Sequence, residues 1–308
     1  RRRPGVPAPL PEGIAVVGRA TPGGREFLAL VTMCMGMSAV SIDLLLPAFA
    51  DMRADFGLAV GDTAVSRVIT GYFLGLAVGQ LFYGPLSDRY GRKPMLYAGL
   101  AVLLVAAVVS TMQSSLLGFV VCRFAWGLGA AAPRSLAIAM VRDTSEGDRM
   151  ARTMSLIMAT FILVPIFAPA VGSVILAFGP WRAVVWFQIA IAAVLTVWIG
   201  RLPETLHERD RRSVSPRALA AAAGAVLRSR QTIAFGLAVT ALFGIMTSYI
   251  GTSEIVIDEV FHQADLFPLL FGALACTLAV GSLLSARTVV RLGLDRLVRL
   301  GAIYLVVT

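Results

Sequence analysis

Gly84-Pro85-Leu86-Ser87-Asp88-Arg89-Tyr90-Gly91-Arg92-Lys93-Pro94 is a short charged stretch set between two long apolar ones, residues 64–83 and 95–112. Each flank approaches the roughly 20 apolar residues that a helix needs to cross a bilayer. Gly and Pro end helices tightly, so the stretch predicts a sharp turn between two spans. Asp88 can pair with a cationic group. Arg89, Arg92 and Lys93 suit a turn resting on an anionic inner leaflet.

The same pattern continues outward in both directions. Apolar runs of spanning length occupy 27–49, 116–141, 154–178, 181–200, 231–253 and 267–286 as well, and a ninth starts near Leu297 and reaches Thr308 after about a dozen residues. Lipid satisfies no backbone group, so each run is expected to be a helix. The composition agrees: 57% of the 308 residues are hydrophobic and 15% charged, and the mean hydropathy is +0.81, far from the soluble norm. Ala48-Phe49-Ala50 has the look of a signal-peptide cleavage site, but the run before it is too long and further spans follow, so it reads as an uncleaved helix.

The net charge of +9 raises the question of nucleic acid, and the placement of the basic residues answers it. With the N-terminus inside, 1–25, 89–93, 142–152, 201–230 and 287–299 all fall on the cytoplasmic side, leaving Arg53, Arg67 and Arg182 outside. That asymmetry is the positive-inside rule and needs no DNA or RNA partner. The chain thus divides into a disordered cytoplasmic tail (1–26), a six-helix bundle (27–200), a basic cytoplasmic linker (201–230) and an incomplete second bundle (231–308). Cys34, Cys122 and Cys276 lie inside apolar runs with no metal-site spacing. The two His, His207 and His262, assemble no cluster, and no phosphate-cradling Gly-x-x-x-x-Gly-Lys motif occurs. Neither an enzyme nor a cofactor or metal site is expected.

The turn at 84–94 closely resembles the signature loop of the major facilitator superfamily. Ser41-Ile42-Asp43-Leu44-Leu45-Leu46-Pro47-Ala48 and the stretch from Arg123 to Ala131 are similar to the bicyclomycin-resistance (Bcr/CflA) subgroup of drug/proton antiporters. Pro165-Ile166-Phe167-Ala168-Pro169-Ala170-Val171-Gly172 looks like that class's antiporter motif, with Ala168 and Ser173 where the family form has Gly. The resemblance implies an all-α polytopic membrane protein of the major facilitator fold, with eight complete transmembrane helices and part of a ninth. It implies a monomer in the bacterial inner membrane that exports small lipophilic compounds, antibiotics among them, against protons. It further implies that Gly84, Asp88, Arg89, Gly91 and Arg92 belong to a conformational lock between the halves, and that Pro165, Pro169 and Gly172 form the antiporter motif.

Two residues stand out on physical grounds. Asp43 lies within an apolar run, where an ionised carboxylate costs about 2.5 to 3.5 kcal/mol on insertion scales, so it requires a partner or a function. It either exchanges a proton for substrate or hydrogen-bonds a neighbouring helix. Arg123 is equally intramembrane and permanently charged, with Asp43 as the expected partner, and the resemblance ties it to proton coupling. Arg134 follows eleven residues later, near three full turns and so on the same helix face; it either lines a cavity or snorkels.

Tyr72, Gln80, Trp126, Phe161 and Tyr249, with Phe73 and Phe187, are candidate contacts for lipophilic or cationic substrates. Gly71, Gly75 and Gly79 form a small-residue ridge that suits close helix packing. Glu254, Asp258 and Glu259 read either as a solvated acidic loop near the outer face or as an attractor of cations. Two alternatives to drug export remain at this level: export of an endogenous metabolite such as an amino acid or peptide, and a truncated chain that does not transport.

Overall fold

The computed structural model describes residues 24–208, 211, 224, 228–262 and 266–292. Nearly all of the expected tail, much of the linker and the ninth span near Leu297 lie outside the described residues. The chain forms α1 (Arg25–Asp43), α2 (Phe49–Asp55), α3 (Arg67–Tyr90), α4 (Arg92–Thr111), α5 (Leu116–Thr144), α6 (Gly147–Phe178), α7 (Arg182–Ile199), α8 (Arg230–Ile255) and α9 (Phe267–Leu292). Tight 3₁₀ turns occupy Leu46–Ala48 and Thr63–Ser66, and a π-helical turn continues α8 over Val256–Val260.

This is an all-α polytopic architecture. Six helical stretches among the described residues are long and apolar enough to cross a membrane: Arg25–Asp55, Thr63–Tyr90, Arg92–Thr111, Leu116–Thr144, Arg182–Ile199 and Arg230–Ile255. α6 and α9 contribute the shorter apolar stretches Leu163–Phe178 and Phe267–Thr277. Large apolar side chains such as Leu81, Val105, Leu117, Phe178 and Val197 are exposed on the outside of the bundle, which in a bilayer is the lipid-facing surface.

α5 is the centre of the first bundle, packed by α3 and α4 along its length and by α1 at its middle. Small residues set these distances. A Cβ at Gly75 would strike the Phe124 carbonyl, and one at Gly127 would strike that of Tyr72, so α3 and α5 meet backbone to backbone. Gly129 does the same for α5 against Gly99 and Leu103 of α4. The ridge at Gly71, Gly75 and Gly79 is therefore a packing surface, as its spacing predicts.

The turn at 84–94 differs from the sequence expectation. α3 runs on through Pro85 to Tyr90, and the chain reverses at Gly91 alone, where φ is +102°. Pro85 removes only the donor that would reach the Leu81 carbonyl, near the end of the helix where the surroundings are polar. The left-handed backbone at Gly91 is what ends α3. A carboxylate from afar then starts α4: Glu204 accepts hydrogen bonds from the Arg92 and Lys93 backbone N–H groups at 2.9 and 3.1 Å. This satisfies two of the donors that every helix start leaves open.

At the opposite end Arg182 donates to the Thr111 and Gln113 carbonyls at 3.1 and 2.9 Å and pairs with Asp55 at 2.6 Å, fastening α7 to the end of α4 and to α2. Glu254 also differs from expectation. Rather than belonging to a solvated acidic loop, it is buried and pairs with Arg53 of α2. The side chains of Asp258 and Glu259 lie outside the described residues.

Candidate transport site

α1 breaks at Asp43, the acid inside its apolar run. Pro47 has no N–H to offer the Asp43 carbonyl, so the α-helical ladder fails one turn earlier. The Leu45 N–H turns to the Ile42 carbonyl at 3.1 Å, in 3₁₀ fashion. The Ser41 carbonyl then lacks its helical partner, and the Arg123 guanidinium of α5 supplies one through Nη2 at 2.8 Å. Tyr72 of α3 donates its hydroxyl to the Ser38 carbonyl at 3.2 Å, and Gln188 of α7 donates its amide to the Val40 carbonyl at 3.2 Å. Three neighbouring helices thus hold the last turn of α1. α6 closes in as well: a Cβ at Gly172 would strike the Leu44 carbonyl, so only Gly lets α6 approach the break.

Arg123 is fully buried but is not paired with Asp43, contrary to the sequence expectation. Its guanidinium lies 4.6 Å from the Tyr72 ring centroid and 4.7 Å from that of Trp126. Its Nε and Nη1 atoms make no hydrogen bond among the described residues. Two ring faces and one carbonyl at the negative end of α1 stabilise this cation. The guanidinium is enclosed among α1, α3 and α5, and the carboxylate faces a cavity that Arg123 does not line.

That cavity, about 300 Å³, is bounded by Ser38, Ile42 and Asp43 of α1, Phe73 of α3, Arg134 of α5, Pro165 of α6, Phe243 and Tyr249 of α8, and Phe271 of α9. Its walls are mostly apolar, and Tyr249 stacks on Phe271 with centroids 5.9 Å apart. Asp43 is 4% exposed, and its carboxylate has no hydrogen bond or ion pair among the described residues. Phe73, Arg134, Phe243 and Thr247 also line a larger cavity of about 800 Å³ between α3 and α8.

At the Gly91 end a second polar cluster forms around Arg92. Its guanidinium reaches Asp88 at 2.6 Å, Ser87 at 2.6 Å and Asp143 of α5 at 2.9 Å. Thr205 donates to Asp143 at 3.3 Å. Lys93 donates to the Gly200 and Leu202 carbonyls at 2.8 and 2.7 Å. Arg89 lies over the Tyr90 ring, 5.1 Å from its centroid. The cluster ties α3, α4, α5 and the segment after α7 together.

A broken first helix, a carboxylate-bearing cavity between two sets of helices and a charged α3–α4 turn are joined by a match in sequence: residues 28–308 fit the profile of the Major Facilitator Superfamily. The chain belongs to that superfamily. Over 263 residues it is 29% identical to the bicyclomycin resistance protein homolog of Haemophilus influenzae, covering 84% of this chain and 65% of that protein. Over 181 residues it is 30% identical to multidrug resistance protein D of Escherichia coli, covering 58% of this chain and 45% of that protein. The chain thus spans less than two thirds of the length of either relative. In structure it is similar to the human organic anion transporter MFSD10, with a TM-score of 0.61, 18% identity, and coverage of 83% of this chain and 71% of that one. It is also similar to a D-xylose–proton symporter, with a TM-score of 0.59, 16% identity, and coverage of 87% and 70%. At those identities the likeness is one of fold.

In this major facilitator chain the residues singled out by sequence separate into groups. Asp43, Arg134, Tyr249 and Pro165 meet at the smaller cavity, and Gln80 lines the larger one. Tyr72 and Trp126 line neither; both are buried against Arg123. Phe187 is exposed on the bundle surface. The Phe161 side chain lies outside the described residues. Among the described residues nothing lies near a Cβ at Gly84, Gly91 makes the turn, and Gly172 abuts the α1 break. Sequence reasoning missed Asp143, Gln188 and Glu204. Gln188 carried a signal, an amide inside an apolar run, whereas Asp143 and Glu204 read as ordinary loop-end acids.

Proposed function

We propose that the protein is a proton-coupled exporter of small lipophilic compounds, working by alternating access in the bacterial inner membrane with its N-terminus and the Arg92 cluster on the cytoplasmic side. The observation that carries this reading is Asp43: buried, on the wall of an aromatic-lined cavity, and without a hydrogen bond or ion pair among the described residues. An ionised carboxylate so placed is costly. Two things relieve the cost: a proton, or a cationic substrate whose ring system fits against Phe73, Phe243, Tyr249 and Phe271. Arrival of the one expels the other, which is antiport. Membership in the superfamily and the bicyclomycin- and multidrug-resistance relatives support export of drug-like compounds.

Arg123 serves this scheme by holding the α1 break, and so the position of Asp43, rather than by neutralising the carboxylate. Gly172, with Pro165 and Pro169, seats α6 against the same break as the antiporter motif. Asp88, Arg89 and Arg92, with Gly84 and Gly91, form the conformational lock at the cytoplasmic end, to which Asp143 is added. The distribution of Arg residues supports the orientation.

The test is proton movement in energised inverted vesicles on addition of lipophilic cationic dyes and antibiotics. Release of protons by the parent and none by Asp43→Asn, at equal protein in the membrane, is the expected result. Undiminished coupled efflux in Asp43→Asn sinks the assignment.

A further inference from the structure

We infer that Arg53 and Glu254 form an outer latch of the transport cycle, joined while the cavity opens toward the Arg92 end and parted when it opens toward the other. The inference rests on the alternating-access reading above. The two residues lie 201 positions apart, on α2 and at the end of α8, and meet through two nearly parallel hydrogen bonds of 2.8 and 3.1 Å. Their side chains are 4% and 6% exposed.

The burial of α8 gives the pair its meaning. Ile250, Gly251, Ser253, Glu254 and Ile255 are buried at the end of α8. This end is where α8 meets the first bundle, at the two 3₁₀ turns and the start of α3. Ser66, at the start of α3, adds a hydrogen bond from its hydroxyl to the Gly251 carbonyl. The larger cavity ends at Ser66, Gly251 and Thr252, so these contacts seal it.

An ion pair suits a seal that must part in every cycle. A wholly apolar seal would expose hydrophobic surface to water on opening. A guanidinium and a carboxylate instead regain their hydration when they separate, which offsets the attraction lost. Removing one partner is a different matter: it takes the paired attraction out of the closed seal and biases the protein toward opening.

The experiment uses the intact protein in whole cells, with Cys34, Cys122 and Cys276 replaced by Ala and Thr247→Cys introduced on the cavity wall. A membrane-impermeant maleimide added outside reads the opening. Glu254→Gln and Arg53→Gln are each expected to label about tenfold faster than the parent, the shift given by a bias of about 1.4 kcal/mol. The reversed pair, Arg53→Glu with Glu254→Arg, is expected to return to the parental rate. Glu254→Asp, which keeps the charge but shortens the reach, serves if a neutral variant does not accumulate, and is expected to exceed the parental rate. Parental labelling in the single variants, or a reversed pair that labels as fast as they do, overturns the latch. Labelling needs neither a known substrate nor proton coupling, so failure here and failure of the Asp43→Asn test are separate results.

Discussion

Arg123 illustrates how one intramembrane charge can be accommodated without a counter-ion among the described residues. Its partners are the Ser41 carbonyl and the faces of Tyr72 and Trp126, and each depends on the planar guanidinium. A Lys ammonium is a compact point charge that can meet the carbonyl but cannot lie flat between two rings. Arg123→Lys is therefore expected to destabilise the protein by about 1–2 kcal/mol, seen as a lower Tm in detergent. A variant as stable as the parent refutes the stacking account. Asp43 presents the complementary case. Its position in an apolar run was legible as an anomaly, but its place on a cavity wall depends on five other helices contributing side chains around it.

At the scale of elements, backbone contact between helices decides what can be changed. Gly75 has no room for a side chain, because a Cβ would enter the Phe124 carbonyl, whereas among the described residues nothing lies within 4 Å of one at Gly84. Gly75→Leu must push α3 from α5, and a loss beyond the usual 1–3 kcal/mol of an overpacked core, about 4 kcal/mol or more, is expected. Gly84→Ala is expected to be neutral or to stabilise by about 0.5–1 kcal/mol, since Ala favours the helix over Gly. Membrane accumulation and thermal unfolding of the pair check this; equal outcomes for both sites contradict the packing described. The Gly ridge was readable as a packing surface from its spacing. Helix continuation through Pro85 was not, because it depends on Gly91 making the turn and on Glu204 starting α4 from 112 residues away.

At the scale of the molecule, α8 meets the first bundle at the Arg53 end, and the larger cavity extends from there toward Gln80 and Val239. Val239 lines that cavity. In the orientation proposed, a cysteine at this position is reached from the cytoplasm. Val239→Cys, in the same cysteine-free background, is expected to react with an impermeant maleimide at least about tenfold faster in inverted vesicles than in whole cells. Faster reaction in whole cells reverses the orientation and with it the cytoplasmic placement of the Arg92 cluster.

The sequence by itself determined that the chain is a bundle of membrane helices, where most of them run, which end of each gathers basic residues, and that Asp43 and Arg123 are unusual. These follow from composition and from patterns local in the chain, since a bilayer admits only helices or closed barrels. The tertiary structure alone decided which partner each charge has: Arg123 with a carbonyl and two rings rather than with Asp43, Arg92 with Asp143, and Arg53 with Glu254. The reason is that a charge in a low-dielectric interior is stabilised by whatever donor, acceptor or ring packing brings within a few ångströms. Those distances are set by helix packing, which no stretch of sequence records by itself.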